Sequence, residues 1–363
     1  MEDNFFINKK IAIVHDYLYT YGGAERVLEV FHEIFPYAQV YTSYFLPNKF
    51  PESFTSWGIK ETWLGKTALK NTPLRKYFTL LCPFALKSLD LSTYDIVISS
   101  CTGPSKGVNT KKNCMHISYI YSPPWLEWNI IKPNTIFKTI YLRISRWWDF
   151  KAAQKPQYLI AISGIIKKRI KQFYKRESVV IYPPVDINKI IFQLDSQIIK
   201  EDYFIMCGRL EIYKGVSIVA KILDRNNLKL KIIGTGADQK NLFGLSKNIE
   251  SLGFINDEQK FRELSKAKAL IMWNEEDFGI NMVEAIACGT PVIAFNKGGS
   301  QDIIKDGVNG VFFNTQDEKD LLQAIQRIKN ITVDKSILIN SIKSFSCEEF
   351  KKNILKYIKS TYL

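Results

Sequence analysis

Short β-rich runs alternate with helix-like segments along the chain, and this alternation limits the fold more than any other feature. "KIAIVHDYL" has a strand pattern and leads through the glycine turn of "YGGAERVLEVFHEIF" into a helix. "YDIVISSC", "HISYIYS" and "QYLIAIS" are further strands, and "GIIKKRIKQFYKR" is a helix. Such alternation predicts parallel sheets with helices on both faces.

The alternation stops near "YPPVD", residues 182–186, and then starts again. With 363 residues the chain is also too long for one ordinary core. We therefore predict an α/β protein with two doubly wound, Rossmann-like domains facing a cleft, at residues 1–183 and 184–346. The last helix, residues 347–361, is expected to pack back on the first domain.

The positive charge is concentrated in the first half of the chain. Residues 1–185 contain 25 Lys and Arg against 13 Asp and Glu, whereas the remainder contains 25 against 23. This asymmetry favours an anionic partner for the first half, either a membrane surface or nucleic acid. No apolar run reaches the ~18–20 residues of a membrane span, and no signal peptide is recognisable.

The six cysteines are scattered without any C-x-x-C pair. Their spacing favours reduced thiols in the cytosol over disulfides or a zinc site.

Two cations lie in a loop that follows a strand of the second domain. In "GRLEIYKG", residues 208–215, Arg209 and Lys214 are five residues apart in a loop that begins and ends on glycine. Open α/β sheets bind ligands at the carboxyl ends of their strands. Guanidinium and ammonium groups suit a diphosphate, although two surface cations would give the same pattern.

Two glycine turns follow predicted strands, one in each domain. Gly22 and Gly23 in "GGAERV" would let backbone N–H groups approach a phosphate at a helix N-terminus. Most glycine pairs are only tight turns, and "GTGAD" at 234–238 is equally unspecific. The chain has no G-x-G-x-x-G fingerprint of a dinucleotide-binding dehydrogenase.

The stretch "NEEDFGINMVEAIACGTPVIA", residues 274–294, concentrates acids around a glycine turn. Glu276 and Glu284 are separated by seven residues, and Gly279 stands just before the helical run. The first N–H groups of that helix would face a ligand, while the carboxylates would accept hydrogen bonds from sugar and ribose hydroxyls. Helix capping explains one such acid better than it explains two at this spacing.

This Glu-x7-Glu block, followed by "ACGTPVIAFNKGG", closely resembles the donor-binding signature of family 4 retaining glycosyltransferases. These are nucleotide-sugar enzymes of the GT-B fold, also called glycosyl transferases group 1. The order of "GGAERV", "YPPVD", "GRLEIYKG" and "GTG" is similar as well, so the resemblance covers nearly the whole chain. Within the family, the chain looks most like bacterial mannosyltransferases that build surface polysaccharides.

The resemblance implies a role for each matching position. Arg209 and Lys214 would bind the donor diphosphate and stabilise the departing nucleoside diphosphate. Glu276 would hold donor-sugar hydroxyls and Glu284 the ribose. The remaining donor contacts would come from Gly22, Gly23, Tyr121, Gly279, Ile280 and Asn281.

Tyr121 in "YIYSPP" stands where relatives usually have a histidine near the donor sugar. Tyrosine offers a hydroxyl but no cation at neutral pH. His116 is five residues earlier and should point to the other face of its strand, so it is no substitute. His15, at the end of the first strand, would line the acceptor side or be a structural histidine.

The chain contains no D-x-D triplet, with which GT-A enzymes commonly hold a metal. We therefore expect no metal and no cofactor, with Arg209, Lys214 and helix N-termini neutralising the leaving group. The resemblance implies retention of anomeric configuration by front-face attack without a protein nucleophile. It also favours GDP-mannose as the donor.

Residues 63–89 and 136–155 mix Lys and Arg with Leu, Phe, Ile and Trp. Basic amphipathic segments of this kind lie at anionic membrane surfaces, although core helices with a basic solvated face would look similar. We expect a cytoplasmic protein, peripheral on the inner face of the cytoplasmic membrane, with a lipid-linked glycan as acceptor.

Three alternatives stay open at this point. A catalytically silent GT-B scaffold at the membrane would account for Tyr121, but it would not need to keep the Arg, Lys and Glu set. A nucleic-acid-binding protein would also be basic, yet no zinc-finger, homeodomain or RNP-like motif is present. A sugar-nucleotide epimerase of the same fold fits the Glu-x7-Glu context less well.

Overall fold

A computed structural model describes residues 4–72, 80–124, 128, 136–194, 199–331 and 334–362. The chain divides into two compact units. Unit 1 comprises Met1–Tyr182 and Phe350–Leu363, and unit 2 comprises Pro183–Glu349. Each unit has its own parallel sheet, so the prediction of two doubly wound α/β domains is confirmed.

The sheet of unit 1 has seven strands in the order β3-β2-β1-β4-β5-β6-β7, and all of its described pairings are parallel. The strands are β1 (Ile11–His15), β2 (Gln39–Thr42), β3 (Lys60–Glu61), β4 (Ile96–Cys101), β5 (Met115–Ile120), β6 (Tyr158–Ala161) and β7 (Val179–Val180). Every residue of β1, β4 and β5 is buried, as expected for central parallel strands that are covered on both faces.

The helices of unit 1 are α1 (Asn4–Ile7), α2 (Gly23–Ile34), α3 (Ser53–Ser56), α4 (Cys82–Lys87), α5 (Ile136–Ala153) and α6 (Gly164–Tyr174). The α2 helix buries Val27, Leu28 and Phe31, which recur at the three- and four-residue spacing of one helix face. The ring of Phe350, from the final helix, lies 5.3 Å from that of Phe31 and 5.7 Å from that of Tyr119. These contacts attach the end of the chain to unit 1.

The segment 63–89 is not one continuous helix in its described part. It contains a 3₁₀ turn at Ala68–Asn71 and the short helix α4, while residues 73–79 lie outside the described ranges. The second basic segment, residues 136–155, is helical over most of its length, since α5 covers residues 136–153.

Unit 2 has a six-stranded parallel sheet in the order β10-β9-β8-β11-β12-β13. Its strands are β8 (Phe204–Cys207), β9 (Leu230–Ile233), β10 (Ile249–Gly253), β11 (Leu270–Met272), β12 (Val292–Phe295) and β13 (Gly310–Phe313). Its helices are α7 (Ile187–Phe192), α8 (Val216–Arg225), α9 (Asp257–Lys266), α10 (Ile280–Ala287), α11 (Ser300–Ile303), α12 (Glu318–Ile328) and α13 (Lys335–Ile342), and α14 (Cys347–Tyr362) begins at its end.

His116 is fully buried in β5 and accounts for a pH dependence of stability that we predict for unit 1. Its Nε2 lies 3.0 Å from Ser99 Oγ, and its Nδ1 has no hydrogen-bond partner among the described residues. Burial, helped by the nearby Lys155 ammonium, lowers the pKa of His116 from 6.5 to about 3. The folded state therefore keeps the ring neutral, whereas the unfolded chain takes up a proton below pH 6.5.

The contribution of His116 is complete above pH 6.5 and is lost as the pH falls from 6.5 toward 3. In that window the free energy of unfolding should fall by about 1.4 kcal/mol per pH unit. His116→Gln, which can still bond Ser99, should remove this dependence. Urea unfolding at pH 7.5 and 5.5, followed by tryptophan fluorescence, measures it; six of the seven tryptophans lie in the unit 1 sequence. If the free energy of unfolding fell equally between pH 7.5 and 5.5 in the wild type and in His116→Gln, the assignment of this pH dependence to His116 would be contradicted.

Candidate functional site

The predicted donor residues of unit 2 lie where the order of its strands reverses, between β8 and β11. Strands β8 and β11 are neighbours although β9 and β10 separate them in sequence. The loop after β8 carries Arg209 and Lys214, and the loop after β11 carries Glu276. In open α/β sheets such a switch point forms a crevice at the strand ends, where ligands bind.

Lys214 and Glu276 form an ion pair in this crevice. The Lys214 Nζ lies 2.9 Å from Glu276 Oε1, and Asn274 Nδ2 donates to the same oxygen at 3.0 Å. The backbone of Glu276 is fixed as well, because its C=O accepts a hydrogen bond from the N–H of Gly299 at 2.8 Å. Sequence reasoning missed Asn274, whose only signal was its position just before the acidic run.

Arg209 is the exposed cation of the same crevice. Its guanidinium makes no hydrogen bond or ion pair with any other residue in the described ranges. The loop around it is nevertheless fixed, since the N–H of Gly208 donates to Ile233 and that of Leu210 to Thr235, at 3.0 and 2.9 Å. A guanidinium on a fixed loop is available to an anion.

The start of α10 supplies backbone donors beside these side chains. Gly279 has φ +100°, a backbone conformation that residues with a Cβ rarely adopt, so the turn before the helix favours glycine. No side chain caps the helix, which leaves its first N–H groups directed toward the crevice end of the sheet. The Asn281 side chain donates to the C=O of Cys207 at 2.8 Å and so ties α10 to the end of β8.

Glu284, one turn further along α10, is 1% exposed and is paired with Lys260. The Lys260 Nζ lies 3.1 and 3.0 Å from the two carboxylate oxygens, and Asp257 Oδ1 is 3.0 Å from the same ammonium. The ammonium offsets the cost of burying the Glu284 carboxylate. Sequence reasoning missed Lys260, because a lysine on the exposed-looking pattern of α9 gives no sign of its partner.

The predicted residues of unit 1 also lie at a switch point. Strands β1 and β4 are neighbours with β2 and β3 on the far side of β1. Gly22 is the N-cap of α2 and Gly23 is its first residue, directly after the β1 loop. Tyr121 follows β5, and its hydroxyl contacts Ser100 Oγ at 2.7 Å and the C=O of Ala24 at 3.0 Å.

Asp16 organises the loop after β4 and was missed from the sequence. Its carboxylate accepts hydrogen bonds from the backbone N–H groups of Thr102, Gly103 and Ser105, each at 2.8 Å. The only signal was an acid directly after the first strand, which gives no indication of a partner more than eighty residues away.

His15 is buried and bonded, as a structural histidine would be. Its Nδ1 lies 3.0 Å from Ser100 Oγ, and its Nε2 lies 3.6 Å from Glu25 Oε1.

The predicted site residues fall into two sets. Unit 2 holds Arg209, Lys214, Glu276, Gly279, Ile280, Asn281 and Glu284, and unit 1 holds Gly22, Gly23 and Tyr121.

In the described ranges, no three His, Cys, Asp or Glu side chains gather as the ligands of a metal ion would. Of the helices in these ranges, none combines the length and hydropathy that a bilayer crossing demands.

The chain is similar to known glycosyltransferases in sequence. Residues 189–343 match the family Glycosyl transferases group 1. An uncharacterized glycosyltransferase of Methanocaldococcus jannaschii is 29% identical over 174 residues, 45% of each chain. The O-antigen chain mannosyltransferase C of Escherichia coli is 28% identical over 202 residues, 50% of this chain and 51% of the relative. The alignments thus span about half the length of these relatives.

The fold is shared with a solved structure over nearly the whole chain. The Anabaena protein HepE in complex with UDP aligns with a TM-score of 0.67 at 18% identity, covering 96% of this chain and 100% of that one. This likeness shows the fold alone. The match to the glycosyl transferases group 1 family thus lies within unit 2, and the whole chain has the GT-B fold.

Proposed function

We propose that the protein is a retaining glycosyltransferase that moves a hexose from a nucleoside-diphosphate sugar to a lipid-linked glycan. The observation that carries the proposal is the composition of the unit 2 crevice. Arg209 and Lys214 lie at the same sheet edge as the uncapped start of α10 and the carboxylates of Glu276 and Glu284. Donors for phosphate and acceptors for hydroxyls are what a nucleotide sugar requires.

Each group has a role that its chemistry supports. Arg209 binds the diphosphate with its planar guanidinium, and the Lys214 ammonium adds positive charge beside it. The Glu276 carboxylate, which is paired with Lys214, accepts hydrogen bonds from the donor-sugar hydroxyls. The N–H groups at Ile280 and Asn281 hold the β-phosphate side of the donor. Glu284 accepts from the ribose hydroxyls. The sequence resemblance also assigns Gly22 and Gly23 of unit 1 to donor binding.

The reaction is electrostatic in this account. The bond between the anomeric carbon and the diphosphate oxygen breaks, and the negative charge on that oxygen is stabilised by Arg209, Lys214 and the helix start. The acceptor hydroxyl attacks from the same face and passes its proton to the departing phosphate, so the anomeric configuration is retained. No metal ion is required, because Arg209 and Lys214 neutralise the negative charge of the departing diphosphate.

The favoured donor is GDP-mannose, and the favoured pathway is synthesis of surface polysaccharide such as O-antigen, capsule or exopolysaccharide. Support comes from the sequence resemblance to bacterial mannosyltransferases and from the similarity to the E. coli O-antigen mannosyltransferase. The HepE structure, which contains UDP, makes uracil nucleotides the necessary comparison.

Nucleotide binding tests this proposal without an acceptor. Melting curves should be recorded with GDP, UDP and ADP, each with and without EDTA. A nucleotide at 100 times its Kd should stabilise the protein by about 2.7 kcal/mol, and EDTA should not change this. Glu284→Gln should lose the effect, whereas Glu258→Gln, an exposed acid of α9, should keep it. If no nucleotide stabilises the wild type, a catalytically silent scaffold becomes the better account.

Unit 1 has an apolar–basic surface, which we define as Leu81 at the N-cap of α4, Phe84 of α4, and Arg143, Ile144, Trp147 and Lys151 of α5. Phe84, Ile144 and Trp147 are 64, 63 and 62% exposed. The two helices pack on the same 3₁₀ turn, Pro104–Gly107, and Lys87 Nζ of α4 lies 5.7 Å from the ring centre of Trp148 in α5. We propose that this surface rests on the anionic inner leaflet, where the lipid-linked acceptor is found.

Vesicle sedimentation tests the membrane proposal. Wild type should sediment with vesicles of mixed neutral and anionic lipid, less with neutral vesicles, and less at high salt. Trp147→Ser should reduce sedimentation about tenfold, given that an aromatic side chain contributes ~1.5–3 kcal/mol on burial. Tyr37→Ser is the matched control, since Tyr37 is 91% exposed and outside this surface. Equal loss in both variants would contradict the assigned surface.

A further inference from the structure

Unit 1 contains a chain of hydrogen-bonded side chains across the carboxyl ends of three adjacent strands. His15 at the end of β1, Ser100 in β4 and Tyr121 after β5 are its members. His15 Nδ1 lies 3.0 Å from Ser100 Oγ, and Ser100 Oγ lies 2.7 Å from the Tyr121 oxygen. The Tyr121 hydroxyl also contacts the C=O of Ala24, in the first turn of α2, at 3.0 Å.

The last acceptor fixes the direction of every proton in this chain. A backbone carbonyl can only accept, so the single proton of Tyr121 goes to Ala24. Ser100 must then donate to Tyr121, and His15 must donate from Nδ1 to Ser100. Burial raises the pKa of Tyr121 well above 10, so the hydroxyl keeps the proton that the arrangement needs.

Both ends of the chain reach the first turn of α2. Tyr121 contacts Ala24, and the other ring nitrogen of His15 lies 3.6 Å from Oε1 of Glu25, the next residue. The turn before this helix consists of Gly22 and Gly23, and no side chain caps the helix there. Two glycines have no side chains with which to fix their own conformation. The hydrogen bond from Tyr121 to Ala24 supplies that restraint.

We propose that His15, Ser100 and Tyr121 are positioning residues that hold the Gly22–Gly23 turn ready for the donor diphosphate. This inference rests on the proposed function, in which that turn contacts the donor. It gives Tyr121 a role of its own at the position where relatives usually carry a histidine: its hydroxyl acts through the backbone of α2. A phenylalanine would fill the same space and lose the tether.

Tyr121→Phe tests the role directly, because it keeps the ring packed against Tyr119 at 5.5 Å and removes only the hydroxyl. Loss of one buried hydrogen bond corresponds to about a tenfold change in an equilibrium. We expect backbone amides at residues 24–28 to exchange with deuterium about tenfold faster. The KM for the nucleotide sugar should rise about tenfold with kcat nearly unchanged, since the turn acts in donor binding.

Tyr119→Phe is the matched control. It removes another buried hydroxyl from β5, one that donates to the C=O of Ile181 at 3.0 Å, away from α2. It should leave both the donor KM and the exchange of residues 24–28 as in the wild type. Ser100→Ala should behave like Tyr121→Phe. The double variant should also show about a tenfold KM change, because both substitutions interrupt the same series of hydrogen bonds and their effects do not add.

Unchanged exchange and unchanged KM in Tyr121→Phe would overturn the inference. A change of about a hundredfold in the double variant would overturn the single-chain arrangement, because independent effects multiply. Faster exchange with an unchanged KM would overturn the role in donor binding. If the wild type transfers no sugar from any nucleotide sugar, the proposed function fails, while the exchange comparison still decides the tether because it needs no substrate.

Discussion

Replacing Arg209 with alanine is expected to lower the rate of sugar transfer about 10²–10³-fold, as removal of a positioned oxyanion donor does in other enzymes. The guanidinium is exposed on a fixed loop at the switch point of the unit 2 sheet and has no ion-pair partner among the described residues. Its removal therefore leaves no buried group unpaired, and the melting temperature should stay within about a degree or two of the wild type.

The measurement is kcat and KM for the nucleotide sugar in the variant and in two controls. Arg209→Lys should recover part of the rate, because an ammonium keeps the charge and loses the bidentate geometry. Arg225→Ala removes an exposed arginine at the end of α8, paired with Glu318, and should have the wild-type rate. A wild-type rate in Arg209→Ala would show that the leaving group is neutralised elsewhere.

Breaking the buried ion pair between Lys106 and Asp149 should destabilise unit 1 by about 3–5 kcal/mol. Lys106 Nζ lies 2.6 Å from Asp149 Oδ1 and donates to the C=O of Gly103 at 2.7 Å. Asp149 Oδ2 in turn accepts from Trp128 Nε1 and from the hydroxyl of Tyr174, at 2.7 and 2.8 Å. Lys106 is 0% exposed, so water cannot replace a missing partner.

Lys106→Met should lower the free energy of unfolding by this amount, measured with urea and tryptophan fluorescence. The double variant Lys106→Met with Asp149→Leu should be more stable than Lys106→Met alone, because no buried charge remains unpaired. Glu177→Gln, which breaks an exposed ion pair of unit 1 with Lys171, should leave the unfolding curve in place. If Lys106→Met lowered the free energy of unfolding no more than Glu177→Gln does, the argument from burial would be contradicted.

The sheets and the candidate crevice could be predicted because they depend on local patterns. Alternating strand and helix runs fix which residues end a parallel strand, and strand ends meet at one edge of the sheet. Arg209, Lys214 and Glu276 therefore come together as a consequence of topology. Gly279 was also recognisable, since a glycine just before a helix marks a backbone conformation with positive φ.

The partners of these residues could not be predicted, because periodicity gives a residue's face but not what lies opposite. Lys260 belongs to an ordinary-looking helix, and its contact with Glu284 depends on how α9 packs beside α10. Asp16 and the loop after β4 are joined across more than eighty residues. In the segment 63–89 the mixture of charged and apolar residues did not indicate where a helix begins; α4 begins at Cys82, with proline in its first turn.

Tyr121 illustrates the same limit at the level of function. From the sequence it was a residue in the place of a family histidine, and its alternatives were donor contact or loss of activity. In the fold its hydroxyl is directed to Ser100 and to the backbone of α2. The contact with Ala24 joins residues 97 positions apart, and no local sequence pattern contains it.

The most direct test of the central claim is release of nucleoside diphosphate from a panel of nucleotide sugars, measured with EDTA present and with a bacterial lipid extract as acceptor. We predict that one donor, GDP-mannose first, is consumed by the wild type in step with mannosylation of a lipid. Arg209→Ala should release the diphosphate about 10²–10³-fold more slowly, and Arg225→Ala at the wild-type rate. Turnover of no nucleotide sugar, or turnover abolished by EDTA, would contradict the account.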